Sequence, residues 1–317
     1  MGWLIVDGHE DIATEILETG RDYADPAPAG HALSLPDSKR GGVGVILATI
    51  FAPEGYWKGE GATEAAERQM TYYESLLADH EEDLFRLESR GDISLCRAGG
   101  PIGVVHLMEG ADPVRRPDEL ARWVERGVRF VGLAWNTPNR YSGGTKDDEG
   151  VSEAGRRLLD EMARLHVVPD LSHLNPRAFA DVLAHHDGEV VASHSNAHAL
   201  RPHRRNLTDE QIRAIGRRKG LVGVVLFNPF LGEGEITFDT VVAHIDHMVG
   251  LVGPDHVGLG SDLDGGFRTD RAPVGLKSVA DLVRIGECLR DKGYEDDAIV
   301  RILGGNWLRL LRRALPD

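Results

Sequence analysis

Short apolar runs separated by longer charged segments set the rhythm of this chain. Eight runs rich in Val, Ile, Leu and Gly recur: Leu4–Asp11, Val43–Phe51, Val104–Glu109, Val128–Trp135, Val167–His173, Val190–Asn196, Leu221–Asn228 and His256–Asp262. The segments between them have helical period. Met70, Tyr73, Leu77, Leu84 and Leu87 fall on one helical face, which predicts a helix through all five. "TDEQIRAIGRRKG" opens with a capping box, Thr208 with Gln211, and stops at Gly220. "SVADLVRIGECLRDKG" repeats the design with Ser278, Asp281 and Gly293. Near-continuous apolar strands, each followed by a crossover, predict a parallel sheet buried on both faces. Eight such units in 317 residues predict an α/β fold, a single (β/α)8 TIM barrel over residues 1–317, ahead of an open doubly wound sheet. Pro169 lies inside the fifth run, where it removes a ladder hydrogen bond.

The ends of the runs carry the chemistry. The first ends in His9, Glu10 and Asp11, the third in Glu109, the fifth in His173, the sixth in His194, and the eighth in Asp262 and Asp264. In a barrel these ends face the active site. Alternation along a strand points His9 and Asp11 the same way, so they could chelate one ion. His173 and His194, on adjacent strands, could hold a second, and Glu109 could bridge both. Histidine and carboxylate ligands with an open water position describe catalytic zinc, whereas structural zinc favours cysteine. Two such ions would sharpen a water into a hydroxide and polarise a carbonyl. His106, three residues before Glu109, points to the opposite face and reads as packing. His185 and His186, and the pair His244 and His247, lie on predicted helices, the latter pair at the surface. Asp264 reads as a turn or helix-cap residue.

Charge narrows the partners. With 36 Lys and Arg against 51 Asp and Glu, the formal net charge is -15, which argues against nucleic acid or an anionic membrane as partner. Two cysteines, Cys96 and Cys288, make no CxxC and no disulfide framework. "MGWLIVDGHED" lacks the basic start of a signal peptide, and no stretch approaches the ~20 apolar residues of a membrane span. The expectation is a cytoplasmic protein.

These residues sit in motifs that resemble the membrane (renal) dipeptidase family, zinc peptidases of the amidohydrolase superfamily. The motifs are "DGHED", "HLMEGAD", "PDLSH", "ASHSNAHALRPHRRN", "GLGSDLDG" and "ILGGNWLRLL", in the family's order from Asp7 to Leu311. The resemblance implies a metal-dependent hydrolase barrel with two Zn2+ per chain. It assigns His9 and Asp11 to one zinc, His173 and His194 to the other, and Glu109 to the bridge. It makes Asp262 the proton-transfer residue of a dipeptidase that attacks with a metal-bridging hydroxide. Arg205, the second arginine of "HRRN", becomes the anchor of the substrate carboxylate, and a homodimer is the family habit.

One departure stands out. Where many members carry a histidine that stabilises the oxyanion, "VGLAWNTPN" places Trp135, so zinc alone, Asn136 or Asn139 would serve instead. Trp135 and Asn136 are accordingly expected at the substrate. The fourth strand holds no lysine that could be carbamylated into a metal bridge. "FAPEGYWKGEG" and "NRYSGGTKDDEG" read as substrate loops or as ordinary surface loops. The leading expectation is a dipeptidase, including substrates with a C-terminal D-residue. An amidohydrolase of N-acyl amino acids or lactams is the alternative. A non-catalytic barrel is disfavoured, since a scaffold needs no general base.

Overall fold

The computed structural model describes residues 2–317. Nine parallel strands form, β1 (Ile5–Glu10), β2 (Val43–Phe51), β3 (Leu84–Arg86), β4 (Ile102–Glu109), β5 (Val128–Gly132), β6 (Val168–Asp170), β7 (Val191–Ala192), β8 (Leu221–Val224) and β9 (Val257–Leu259). The order β2-β1-β9-β8-β7-β6-β5-β4, with β2 also paired to β4, closes eight of them into a barrel. β3 lies outside the ring, along the first residues of β4. The crossovers carry α1 (Ile12–Thr19), α2 (Leu35–Arg40), α3 (Ala62–Asp79), α4 (Leu120–Glu125), α5 (Glu153–Arg164), α6 (Pro176–His185), α7 (Asp209–Arg217), α8 (Asn228–Leu231), α9 (Phe238–Val252), α10 (Val283–Asp291), α11 (Asp296–Val300) and α12 (Asn306–Ala314).

Alternation along each strand divides the core in two. Val45, Leu47, Val105, Leu107, Phe130, Val191 and Leu221 fill the barrel interior. Their neighbours Ile46, Ala48, Val104 and Met108 pack outward on the helices. Trp307 of α12 plugs the interior from the end opposite the strand carboxyl termini. Its ring lies edge-on to Phe130, and its Nε1 donates to the Leu259 carbonyl at 2.7 Å. A Cβ at Gly8 would stand 2.1 Å from that ring, so the plug requires glycine there. The capping box at Thr208 forms as expected.

Two sequence expectations change. The helix expected through Leu87 ends at Asp79. The chain turns at His80, and Leu84 pairs with Ile102 in β3 instead. A short strand beside β4 satisfies backbone groups that a longer helix would leave on β4's edge. The later strands are also shorter than their apolar runs. The fourth through eighth runs leave the ladder before their last residues, so His173, His194 and Asp262 lie just beyond regular strand.

Candidate active site

His9 reaches the interior by a bulge rather than by simple alternation. Asp7 pairs with Ile46 and Glu10 with Ala48, so Gly8 and His9 together oppose the single Leu47. The extra residue turns His9 inward and sends Glu10 outward, the kind of re-aiming that bulges provide next to sites. Asp11 lies past the strand at the start of α1, with its Oδ1 held by the Thr49 hydroxyl at 2.5 Å. Its Oδ2 stands 3.6 Å from His9 Nε2.

Glu109 lies between the histidines. Its Oε1 is 2.7 Å from His173 Nε2 and 3.4 Å from His194 Nε2, while its Oε2 is 3.7 Å from His9 Nε2. His173 and His194 bring their Nε2 atoms to 2.8 Å of each other. Asp262 Oδ1 completes the ring at 3.9 Å from His9 Nε2. Two groups of three donors are close enough to hold an ion: His9, Glu109 and His194, and His9, Asp11 and Asp262. His173 and Asp262 both adopt left-handed backbone, φ 67° and 61°, a strained choice for non-glycine residues that clusters at functional sites.

The outer contacts fix which nitrogen of each histidine faces inward. Ser193 Oγ donates to Asp170 Oδ2 at 2.5 Å, which leaves its lone pairs to accept. His194 Nδ1 lies 2.8 Å and His9 Nδ1 3.2 Å from that oxygen, so both donate to it. His173 Nδ1 donates to Asn136 Oδ1 at 2.9 Å. All three Nδ1 atoms therefore carry the proton, and each Nε2 of a neutral ring turns a lone pair inward. His9 Nε2 is buried without a hydrogen-bond partner. An orphaned buried nitrogen among convergent lone pairs and carboxylates fits a bound metal ion.

The electrostatics agree. Burial, with Arg205 nearby, pulls His173 down to about 4, and burial with His9 pulls His194 well below its ordinary value. Both are neutral and ready to ligate. Burial opposes charge on His9, yet Glu109, Asp11 and Asp262 push it up to about 10, so a cation binding there displaces a proton. Against burial, His9, His173 and His194 hold the Glu109 carboxyl well below the usual range. Burial, then Asp11 and Glu109, push Asp262 well above it.

Ser193 and Asp170 were not read from the sequence, although "PDLSH" and "ASHSN" contain them. The signal was a carboxylate three residues before His173 and a hydroxyl immediately before His194. Asp7 was also missed. Its carboxylate accepts from Ser261 N and Oγ at 2.8 and 2.5 Å, which ties β1 to the segment carrying Asp262. Ser193→Ala is expected to weaken metal affinity by about 10–100-fold, the usual cost of losing such a partner. Chelator competition checks this, and unchanged affinity would show that the tautomers are set elsewhere.

A cavity of about 320 Å3 opens over these groups. Asp11, Glu109, His173, Arg205 and Asp262 form its polar floor, with Phe51, Tyr56, Trp135, Phe227, Phe230 and Phe267 as aromatic walls. The loop after β2 thus contributes Tyr56. Arg205 is buried; its Nη2 donates to the His194 carbonyl at 3.1 Å, and its guanidinium stands 5.6 Å from the Phe230 ring. Its neighbours Arg201 and Arg204 turn away to Glu233 and Asp148. Trp135 packs on Phe51 and His173. The loop after β5 closes on it, and a Cβ at Gly144 would stand 2.1 Å from the Trp135 carbonyl. Asn139 donates to Asp112 and to the Leu133 carbonyl, so it organises this loop.

Other assignments are corrected. Asp264 lies in a turn, one of its two expected places, and caps no helix. Its carboxylate accepts from Ala32 N, Leu33 N and Arg21, clamping the loop after α1. His244 is buried and bonds to Ala197 N and the Leu231 carbonyl, whereas His247 pairs with Asp209. His106 points outward against Tyr73, as expected.

Barrel and site together define a metal-dependent hydrolase. The chain belongs to the membrane dipeptidase family, peptidase family M19, whose model matches residues 2–315, and it is a metallo-dipeptidase, a hydrolase of peptide bonds. A metallo peptidase from Rhodobacter sphaeroides, liganded with a phosphinate mimic of the dipeptide L-Ala-D-Ala, superposes with a TM-score of 0.91 at 29% identity, covering 99% of this chain and 100% of that one. A Klebsiella pneumoniae protein of the pqqA 5′ region is 36% identical over 77% of this chain and 94% of its own length. The dipeptidase tcpJ of Claviceps purpurea is 28% identical over 90% of this chain and 69% of its own. Among the described residues no helix is long and apolar enough to cross a membrane.

Proposed function

We propose that this chain hydrolyses dipeptides at a binuclear zinc site, including dipeptides with a C-terminal D-residue. The observation that carries the reading is the convergence of the Nε2 atoms of His9, His173 and His194 with two carboxylates, Asp11 and Glu109, at the floor of a cavity that Asp262 and Arg205 also line. Neutral imidazoles and carboxylates without cysteine suit zinc. His9 and Asp11 would hold one ion and His173 and His194 the other. The two oxygens of Glu109 face different histidines, as a bridging carboxylate requires. When bound, the ions supply a water of lowered pKa and polarise the scissile carbonyl.

The chain's own residues do the rest. Arg205 takes the C-terminal carboxylate of the substrate, fixing the peptide bond over Glu109 and Asp262. Asp262 accepts the proton of the attacking water and delivers it to the leaving amine, so its carboxylate is restored when the two amino acids part. Asn136 Oδ1 is occupied by His173 and by the Thr145 hydroxyl at 2.6 Å, which turns its amide NH2 toward the cavity as a donor for the substrate carbonyl. Trp135 and the other aromatic walls exclude water from the bond.

The test is a hydrolysis panel on zinc-loaded protein: L,L- and L,D-dipeptides beside N-acyl amino acids. Turnover of dipeptides is expected. Silence on dipeptides with turnover of acyl amino acids would replace this reading with the amidohydrolase one. The relative bound to an L-Ala-D-Ala mimic supports the stereochemical part. Arg205→Ala is expected to raise KM for free dipeptides by about 10–100-fold, matching about 1.5–3 kcal/mol for a charged hydrogen bond. Their C-terminal amides should hardly change. Equal effects on both would refute the carboxylate anchor.

A further inference from the structure

A second cavity, of about 370 Å3, lies behind the catalytic one. It runs between the loop after β5, the start of α6 and the segment from Ser195 to Thr208, and it has its own opening. His173 and Arg205 belong to the walls of both cavities, so the two stand back to back across these side chains. The chemistry described above makes no use of it.

Its lining is charged and unsatisfied. Arg204, Arg205, His198 and His203 line it together with one acidic residue, Asp148, which Arg204 already approaches at 3.7 Å. Three polar atoms of its wall are buried without a partner: Ser195 Oγ, Arg205 Nε and Asn206 Oδ1. Buried polar atoms are nearly always bonded, so three orphans at one cavity point to a ligand that bonds them. Arg205 offers five N–H donors in a plane, and the His194 carbonyl occupies Nη2 alone. The guanidinium therefore has donors left for both cavities. The set suits a small zwitterion. Its carboxylate would meet Arg205 Nε and the positive charge of Arg204, and its ammonium would meet Asn206 Oδ1 and Ser195 Oγ.

We propose that this cavity is a second binding site for a free α-amino acid, the one released from the C-terminal position of the dipeptide. Hydrolysis leaves that product with a carboxylate already at Arg205 and a new ammonium. Arg205 can pass the carboxylate from its front face to its rear face, and the product leaves by the second opening while the catalytic cavity refills. The proposal rests on the reading of Arg205 as carboxylate anchor.

Inhibition by free alanine tests it. In the unaltered holoenzyme, L- or D-alanine should lower kcat even at saturating dipeptide, because it occupies a site that the dipeptide does not. Alaninamide, without the carboxylate, should lack this component. Ser195→Ala with Arg204→Ala should weaken it tenfold or more and leave kcat/KM without added alanine within twofold. Ser195 Oγ bonds nothing in the fold, and Ser195→Ala alone serves if the double variant folds poorly. Purely competitive inhibition by alanine, or a component that the variants leave unchanged, overturns the proposal. Acetate acting as well as alanine would reduce the cavity to an anion site and overturn it too. Calorimetric titration of alanine into the same proteins needs no turnover, so a failure of the dipeptidase reading would show separately.

Discussion

Asp262→Asn is expected to lower kcat on dipeptides by about a thousandfold, within the ~10²–10⁴ that positioned proton transfer contributes, with bound metal unchanged. The carboxylate stands at the edge of the ligand cluster, held by left-handed backbone and by a hydrogen bond from its own N–H to the His9 carbonyl at 3.0 Å. Burial and the neighbouring charges of Asp11 and Glu109 raise its affinity for a proton. A group with that affinity can take a proton from water and give it up again to an amine. As a base it works only when ionised, so activity should fall as pH drops through its pKa. That acidic limb of kcat/KM should vanish in Asp262→Asn, because an amide does not titrate. Near-normal turnover in the variant would remove Asp262 from the mechanism.

Glu109→Gln is expected to cost about a hundredfold or more in metal affinity, more than the loss of an outer partner such as Ser193. The carboxylate touches His173 and His194 through one oxygen and faces His9 through the other. An amide keeps the shape, removes the negative charge and replaces one acceptor by a donor aimed at lone pairs. Metal content after dialysis against a graded chelator series measures the effect. A variant that retains metal as the parent does would show that the histidines and Asp11 suffice, and the bridge would have to be abandoned.

Sequence periodicity by itself determined much of this protein. Parallel strands buried on both faces must be almost wholly apolar, so ionisable residues at their ends are conspicuous. The barrel, its eight ring strands and the cluster of His9, Asp11, Glu109, His173, His194 and Asp262 were legible for that reason. The outward packing of His106 followed from parity with Glu109.

Tertiary structure decided the rest. Alternation gave the right company for His9 on the wrong grounds, because only pairing with β2 reveals the bulge that turns it inward. Leu84 and Leu87 fit a helical face, but the free edge of β4 claimed Leu84 for a strand. Ser193 and Asp170 set the tautomers of His9 and His194 through oxygens whose roles depend on who donates to whom. Four nearby residues, Arg201, His203, Arg204 and Arg205, look alike as a basic patch until the fold buries Arg205 between two cavities and leaves Arg204 at the surface. Period and composition are local properties and can be read along a chain. Bulges, tautomers and the two faces of one guanidinium depend on partners distant in sequence, and these exist only once the barrel has closed.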